Sequence, residues 1–222
     1  MSLSPNHGER RGGVRPDLVV IHYTAMATAR ESLERLCDPV AEVSAHYLIA
    51  EDGEVMSLVP EERRAWHAGA GRWGEVTDVN SRSIGIELQN RGTHPYAHPQ
   101  MLALERLVGD ILARWSIPPE RVIGHSDMAP TRKADPGPRF DWRRLARAGL
   151  SVWPEEGEGD PQDLLPALRS FGYDPALPPD LLLRAFRLRF RPWAEGPVSP
   201  RDAGAALDLA RRFPVDHRAS AA

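Results

Sequence analysis

The stretch Gly124-His125-Ser126-Asp127-Met128-Ala129-Pro130-Thr131-Arg132-Lys133-Ala134-Asp135-Pro136-Gly137-Pro138 places an imidazole, an ammonium and a carboxylate on a backbone broken by three prolines and two glycines. A neutral imidazole and a carboxylate are ordinary zinc ligands, and a lysine beside them can meet a developing negative charge. The residue before a proline is pushed towards extended backbone, so Asp135 is expected to be extended, with Lys133 projecting to the same side. Taken alone, the stretch equally describes a polar loop whose charges are solvated.

Other residues with usable chemistry lie upstream. Asp17-Leu18-Val19-Val20-Ile21-His22 reads as a short strand buried on both faces, and it ends on a histidine. Strand ends are where α/β folds place ligands, although His22 alone also fits a satisfied histidine at a core edge. In Ser83-Ile84-Gly85-Ile86-Glu87-Leu88-Gln89-Asn90, alternation puts Ile84, Ile86 and Leu88 on one face and Gly85 and Glu87 on the other. A carboxylate held in a partly dry place, with a glycine leaving space beside it, is a candidate general base. A solvent-facing acid on a one-sided sheet is the alternative. Ala65-Trp66-His67-Ala68-Gly69-Ala70-Gly71 reads as a loop in which Trp66 and His67 line a groove, or in which Trp66 is a buried anchor. His46 lies in a strand without neighbours that complete a ligand spacing, and reads as a structural partner.

Together His22, His125 and Asp135 supply two imidazoles and a carboxylate with no evident fourth protein ligand. That composition leaves an open position, as catalytic zinc sites do. Glu87 would take a proton from water and pass it to a leaving amine, and Lys133 would face the oxyanion. These are the parts that metal-assisted amide hydrolysis needs.

The scaffold that must bring them together is legible in outline. Thr28 to Cys37 reads as a helix stopped by Pro39. His46 to Ala50 and Val55 to Val59 flank an Asp-Gly turn as a hairpin. Pro99 to Trp115 carries Leu104, Leu107, Val108, Ile111, Leu112 and Trp115 at helical spacing, a core-facing stripe. Arg121-Val122-Ile123 is a short strand that delivers His125, and Asp141 to Ala148 is a short helix. After the Pro-, Gly- and acid-rich run 153–161, amphipathic patches at Leu164 to Leu168, Leu181 to Phe190 and Ala205 to Phe213 form a small helical unit.

Composition narrows the classes. The chain has 222 residues, 41% of them hydrophobic, a net charge of -3 and a single cysteine, Cys37. Dispersed basic residues and a slightly acidic balance give no case for nucleic acid. One cysteine excludes an internal disulfide and a thiolate-rich metal site. No stretch is apolar for long enough to span a membrane. Neither an apolar segment after Arg10-Arg11 nor a lipobox cysteine is present, so a cytoplasmic location is expected, with the cell envelope as the alternative.

The segments Val20-Ile21-His22-Tyr23-Thr24, Ala45-His46-Tyr47-Leu48-Ile49, Ala65-Trp66-His67-Ala68-Gly69, Ser83-Ile84-Gly85-Ile86-Glu87-Leu88 and Gly124-His125-Ser126-Asp127 through Lys133-Ala134-Asp135-Pro136-Gly137 resemble, in this order, the zinc-dependent N-acetylmuramoyl-L-alanine amidases. This type 2 amidase family is related to the peptidoglycan recognition proteins. The resemblance implies an α/β (α+β) fold with a mixed central sheet flanked by helices. It also implies one Zn2+ on His22, His125 and Asp135, and Glu87 and Lys133 as catalytic residues. The implied reaction is cleavage of the amide between N-acetylmuramic acid and L-alanine in peptidoglycan or muropeptides. A non-catalytic peptidoglycan-binding protein and a zinc peptidase acting on the stem peptide are the alternatives. The helical unit resembles, more weakly, a three-helix peptidoglycan-binding domain. The expected division is a flexible N-terminus at 1–15, a catalytic domain at 16–152, a linker at 153–161, a helical domain at 162–214 and a flexible tail at 215–222.

Overall fold

In chain order the elements are β1 (His7–Glu9), β2 (Leu18–Tyr23), α1 (Ala29–Cys37), β3 (Tyr47–Ile49), β4 (Val55–Ser57), β5 (Arg63–Ala65), α2 (Val79–Arg82), β6 (Ser83–Leu88), α3 (His98–Trp115), β7 (Val122–Gly124), α4 (His125–Met128), α5 (Trp142–Arg147), α6 (Leu164–Phe171), α7 (Pro179–Phe190) and α8 (Pro200–Arg212). They belong to a computed structural model that describes residues 3–215. Of the expected tail, residues 216–222 lie outside the described residues.

β2 sits in the middle because its side chains are apolar on both faces. Leu18, Val19, Val20 and Ile21 are all fully buried, the pattern of a strand covered on both sides. β6 and β7 pair with it in parallel, β3 adds in parallel to β6, and β4 closes antiparallel on β3, giving the order β4-β3-β6-β2-β7. The sheet is therefore mixed and flanked by helices, as expected.

Alternation sorts the two faces. Val19, Ile21, Ile84, Ile86 and Leu88 meet Met101, Leu104, Val108 and Ile111 of α3. Leu18, Val20 and His22 lie in register beside Ser83, Gly85 and Glu87 and point the other way. On that second face Leu18, Val20 and Ile123 share a continuous core with Trp73, Phe171, Tyr173, Phe186 and Phe190. α6, α7 and α8 thus form a layer on the sheet. Two helices start on capping boxes, Thr28 with Glu31 in α1 and Ser199 with Asp202 in α8, which satisfy first-turn amides.

Two expectations need correction. The N-terminus expected to be flexible is built into the fold from Ser4 onwards. Ser4 Oγ donates to Leu36 O at 2.6 Å, and Asn6 Nδ2 donates to Asp38 O and Val43 O, both at 2.8 Å. β1 pairs with β5, and the buried Arg10 donates to Glu61 O and Ser81 O. Polar residues hide this role in the sequence, because their partners are backbone carbonyls far along the chain. The run expected as a linker is pinned as well: Glu155 N donates to Asp208 Oδ2 and Gly159 N to Pro200 O, both at 2.9 Å.

Candidate metal centre and active site

His22 is the penultimate residue of β2, β7 runs directly into the turn α4 that begins with His125, and the chain returns through turns to Asp135. All three side chains are buried. Their inward atoms converge: His22 Nδ1 and His125 Nδ1 are 2.9 Å apart, and Asp135 Oδ2 lies 3.1 and 3.0 Å from them. Asp135, expected in extended backbone, sits instead in a turn across a cis Asp135–Pro136 peptide. The backbone N–H of Ser126 donates to Asp135 O at 2.9 Å, so the two ligand-bearing segments are tied together.

The outward nitrogens fix the tautomers. His125 Nε2 lies 3.0 Å from Ala68 O, and a carbonyl only accepts, so Nε2 carries the proton and Nδ1 offers a lone pair. For His22 the argument runs through two residues. The Ser83 hydroxyl donates to Val79 O at 2.5 Å and accepts from His67 Nε2 at 3.1 Å. His67 Nδ1 is then the acceptor for His22 Nε2 at 2.9 Å, and His22 Nδ1 is also left as a lone pair. Burial and the neighbouring His125 push the His22 imidazole down to about 4, which keeps it neutral near pH 7. Two imidazole lone pairs and a carboxylate oxygen facing one another fit a divalent cation, and outer partners of this kind are what orient histidine ligands. Among the described residues these three form a grouping able to hold a metal ion.

The loop 65–71 holds both outer partners, the His67 ring and Ala68 O. Asn80 Oδ1 fixes it by accepting from His67 N at 3.0 Å and Ala68 N at 2.8 Å. The Arg132 guanidinium holds the same loop through Ala68 O and Ala70 O. Trp66 and His67 line the cleft, but both His67 ring nitrogens are engaged behind His22. Asn80, Ser83 and Arg132 carried no signal in the sequence, since their partners are distant in the chain.

Glu87 lies beside His22 in the sheet register, and Lys133 projects, exposed, from the loop before Asp135. Both line a cleft of about 520 Å³ with His22, His125, Asp135, Tyr23 and Trp66. Glu87 Oε2 is enclosed without a hydrogen-bond partner among the described residues. Burial, reinforced by Asp135 and opposed by Lys133, raises the Glu87 carboxyl to about 8. A carboxyl of this kind beside a cation site is suited to moving a proton. The structure thus brings the five expected chemical residues to one cleft.

The family model for N-acetylmuramoyl-L-alanine amidases (Amidase_2) matches residues 12–138. The chain is a member of this amidase family. Among characterised relatives, the amidase is 39% identical over 214 residues to the N-acetylmuramoyl-L-alanine amidase AmiD of Escherichia coli strain K12, covering 80% of this chain and 76% of that one. It is 36% identical over 159 residues to the 1,6-anhydro-N-acetylmuramyl-L-alanine amidase AmpD of Enterobacter cloacae, covering 64% of this chain and 85% of that one. Its fold superposes on E. coli AmiD solved with anhydro-N-acetylmuramic acid-L-Ala-D-gamma-Glu-L-Lys at a TM-score of 0.82, with 35% identity and 92% of each chain covered. AmpDh3 from Pseudomonas aeruginosa superposes equally well, at 0.82 with 33% identity and coverage of 91% and 94%. Among the described residues, no helix of the amidase is long and apolar enough to cross a membrane.

Proposed function

We propose that the amidase holds one Zn2+ on His22 Nδ1, His125 Nδ1 and Asp135 Oδ2 and cleaves the bond between N-acetylmuramic acid and L-alanine in muropeptides. The observation that carries this reading is the convergence of three lone-pair donors in one cleft with Glu87 and Lys133. Bound there, zinc supplies Lewis acidity towards the scissile carbonyl and towards water. Glu87 accepts the proton of the attacking water and delivers it to the nitrogen of the departing L-alanine. Lys133 sets its positive charge against the negative charge that grows on the carbonyl oxygen. Trp66 and Tyr23, at the cleft wall, bound the space in which substrate lies. The AmiD relative was solved with an anhydro-muramyl tripeptide, and we propose the same class of fragment as substrate here.

The test is a mass-spectrometric digest of anhydro and reducing-end muropeptides, with and without chelator, by the parent and by Glu87→Gln. The expected result is chelator-sensitive release of L-Ala-headed peptide by the parent. Glu87→Gln is expected to retain stoichiometric zinc and to lose about 10²- to 10⁴-fold in turnover, the usual worth of a general acid–base group. Parental turnover in Glu87→Gln refutes its role as base. Cleavage inside the stem peptide makes the chain a peptidase, and binding without cleavage makes it a recognition protein. Cleavage of the anhydro form alone fits a cytoplasmic recycling role, and cleavage of both forms fits action at the envelope.

A further inference from the structure

α4, the turn that carries His125, has only four residues and cannot hold its own orientation through helical hydrogen bonds. Its geometry is set by Asp127, which is almost wholly buried. Asp127 Oδ2 accepts from Gly124 N at 2.8 Å and so closes the turn immediately before His125. The rest of the carboxylate is taken up by the helical layer. Tyr173, just after α6, donates its hydroxyl to Asp127 Oδ1 at 2.7 Å. Arg189 of α7 donates to Asp127 Oδ2 at 2.8 Å, with both side chains about 1% exposed. The same guanidinium donates to Val122 O at 3.0 Å, in the strand that feeds the turn, and to Ser151 Oγ at 3.2 Å. It lies over the Trp142 ring, 4.3 Å from its centroid.

We propose that the C-terminal helices buttress the metal centre, and that Asp127, Tyr173 and Arg189 are positioning residues acting through His125. This rests on the reading of His125 as a zinc ligand. The route is short: Tyr173 and Arg189 fix the Asp127 carboxylate, and Asp127 fixes the Gly124–His125 backbone. That backbone aims Nδ1 at the site, while Ala68 O holds Nε2. A buried carboxylate between three donors has one arrangement, whereas a four-residue turn without it has several. The segment after α6 and α7 itself therefore carry part of the catalytic site's precision.

The experiment uses the full chain loaded with zinc and measures metal affinity by chelator competition, well below the unfolding transition. Cobalt-substituted protein gives the d–d absorption, which reports ligand geometry directly. Tyr173→Phe keeps the ring in the core and removes only the hydroxyl. It is expected to fold, to bind zinc roughly tenfold more weakly and to show an altered cobalt spectrum, at the low end of the effects of outer partners of metal ligands. The double variant Asp127→Asn with Arg189→Met removes both buried charges together, so neither is left unpaired. It is expected to weaken zinc further. Arg211→Ala, on the exposed side of α8, is expected to match the parent. Parental affinity and spectrum in Tyr173→Phe and in the double variant overturn the proposal, whatever the change in thermal stability. His125→Ala separates the two readings. If the parent binds stoichiometric zinc and His125→Ala does not, parental behaviour in both Tyr173→Phe and the double variant refutes the buttress while the ligand assignment stands. If His125→Ala binds zinc like the parent, the ligand assignment fails and the buttress with it.

Discussion

His22, His46, His67 and His125 crowd one region of the central sheet, and hydrogen bonding decides which of them can hold a metal. His22 and His125 each spend one ring nitrogen on an outer partner and turn the other inward. His46 spends both: Nδ1 accepts from Gly85 N at 2.9 Å, and Nε2 faces Arg63 O at 3.1 Å. Burial, with Arg10 adding to it, pushes the His46 imidazole down to about 3. In the unfolded chain it takes a proton below about pH 6.5. Between these values the unfolded state binds more protons, so stability falls as pH drops from about 6.5 towards 3. In metal-free protein, urea midpoints measured from pH 7 to 4 are expected to fall less steeply for His46→Gln than for the parent. Equal slopes would show that His46 does not stay neutral on folding. At this scale the sequence showed where His22 and Glu87 stand, on one face of neighbouring strands, and only their company with His125 and Asp135 pointed to chemistry. It was unreadable where meaning depends on a partner far along the chain, as for Ser83 behind His67.

β6 shows how an element positions chemistry. Its parallel pairing with β2 puts Glu87 beside His22, and two residues earlier Gly85 lies beside Val20. Alternation made this face visible in advance, and Gly85 read as space beside the acid. The structure shows what fills that space. A Cβ on Gly85 would stand 2.4 Å from His67 Cγ and 2.5 Å from its Cδ2. The ring cannot retreat without breaking its bonds to His22 and Ser83. Gly85→Ala is therefore expected to swing His67 away, to free His22 to turn, and to weaken zinc by about 10- to 100-fold. Chelator competition on the folded variant checks this, and unchanged affinity would show that His67 does not hold His22. The long helix α3 was plain from its periodicity and the strand β2 from its unbroken apolar run. β1 and β5 were not, because each is a three-residue polar strand whose pairing joins distant segments.

The whole molecule departs most from the sequence reading at the boundary between its parts. A Pro-, Gly- and acid-rich run suggested a linker, and three amphipathic patches suggested a separate helical domain. Composition reports that a helix has an apolar face but not what covers it. Here Phe171, Tyr173, Phe186 and Phe190 close over Leu18, Val20 and Ile123, and Trp73 joins the two sides, stacking edge-on against Phe171 and Tyr173. A core shared in this way has no plane along which the layers part without exposing apolar surface on both. The chain is expected to unfold in one transition, with far-UV circular dichroism and tryptophan fluorescence coincident. Phe171→Ala, a cavity in α6 under the sheet, is expected to cost about 3–5 kcal/mol. It is expected to lower both signals together. Zinc is expected to raise both by mass action on the native state. Two separated transitions, with Phe171→Ala moving one and zinc the other, would instead make the helices an independent domain that only touches the sheet.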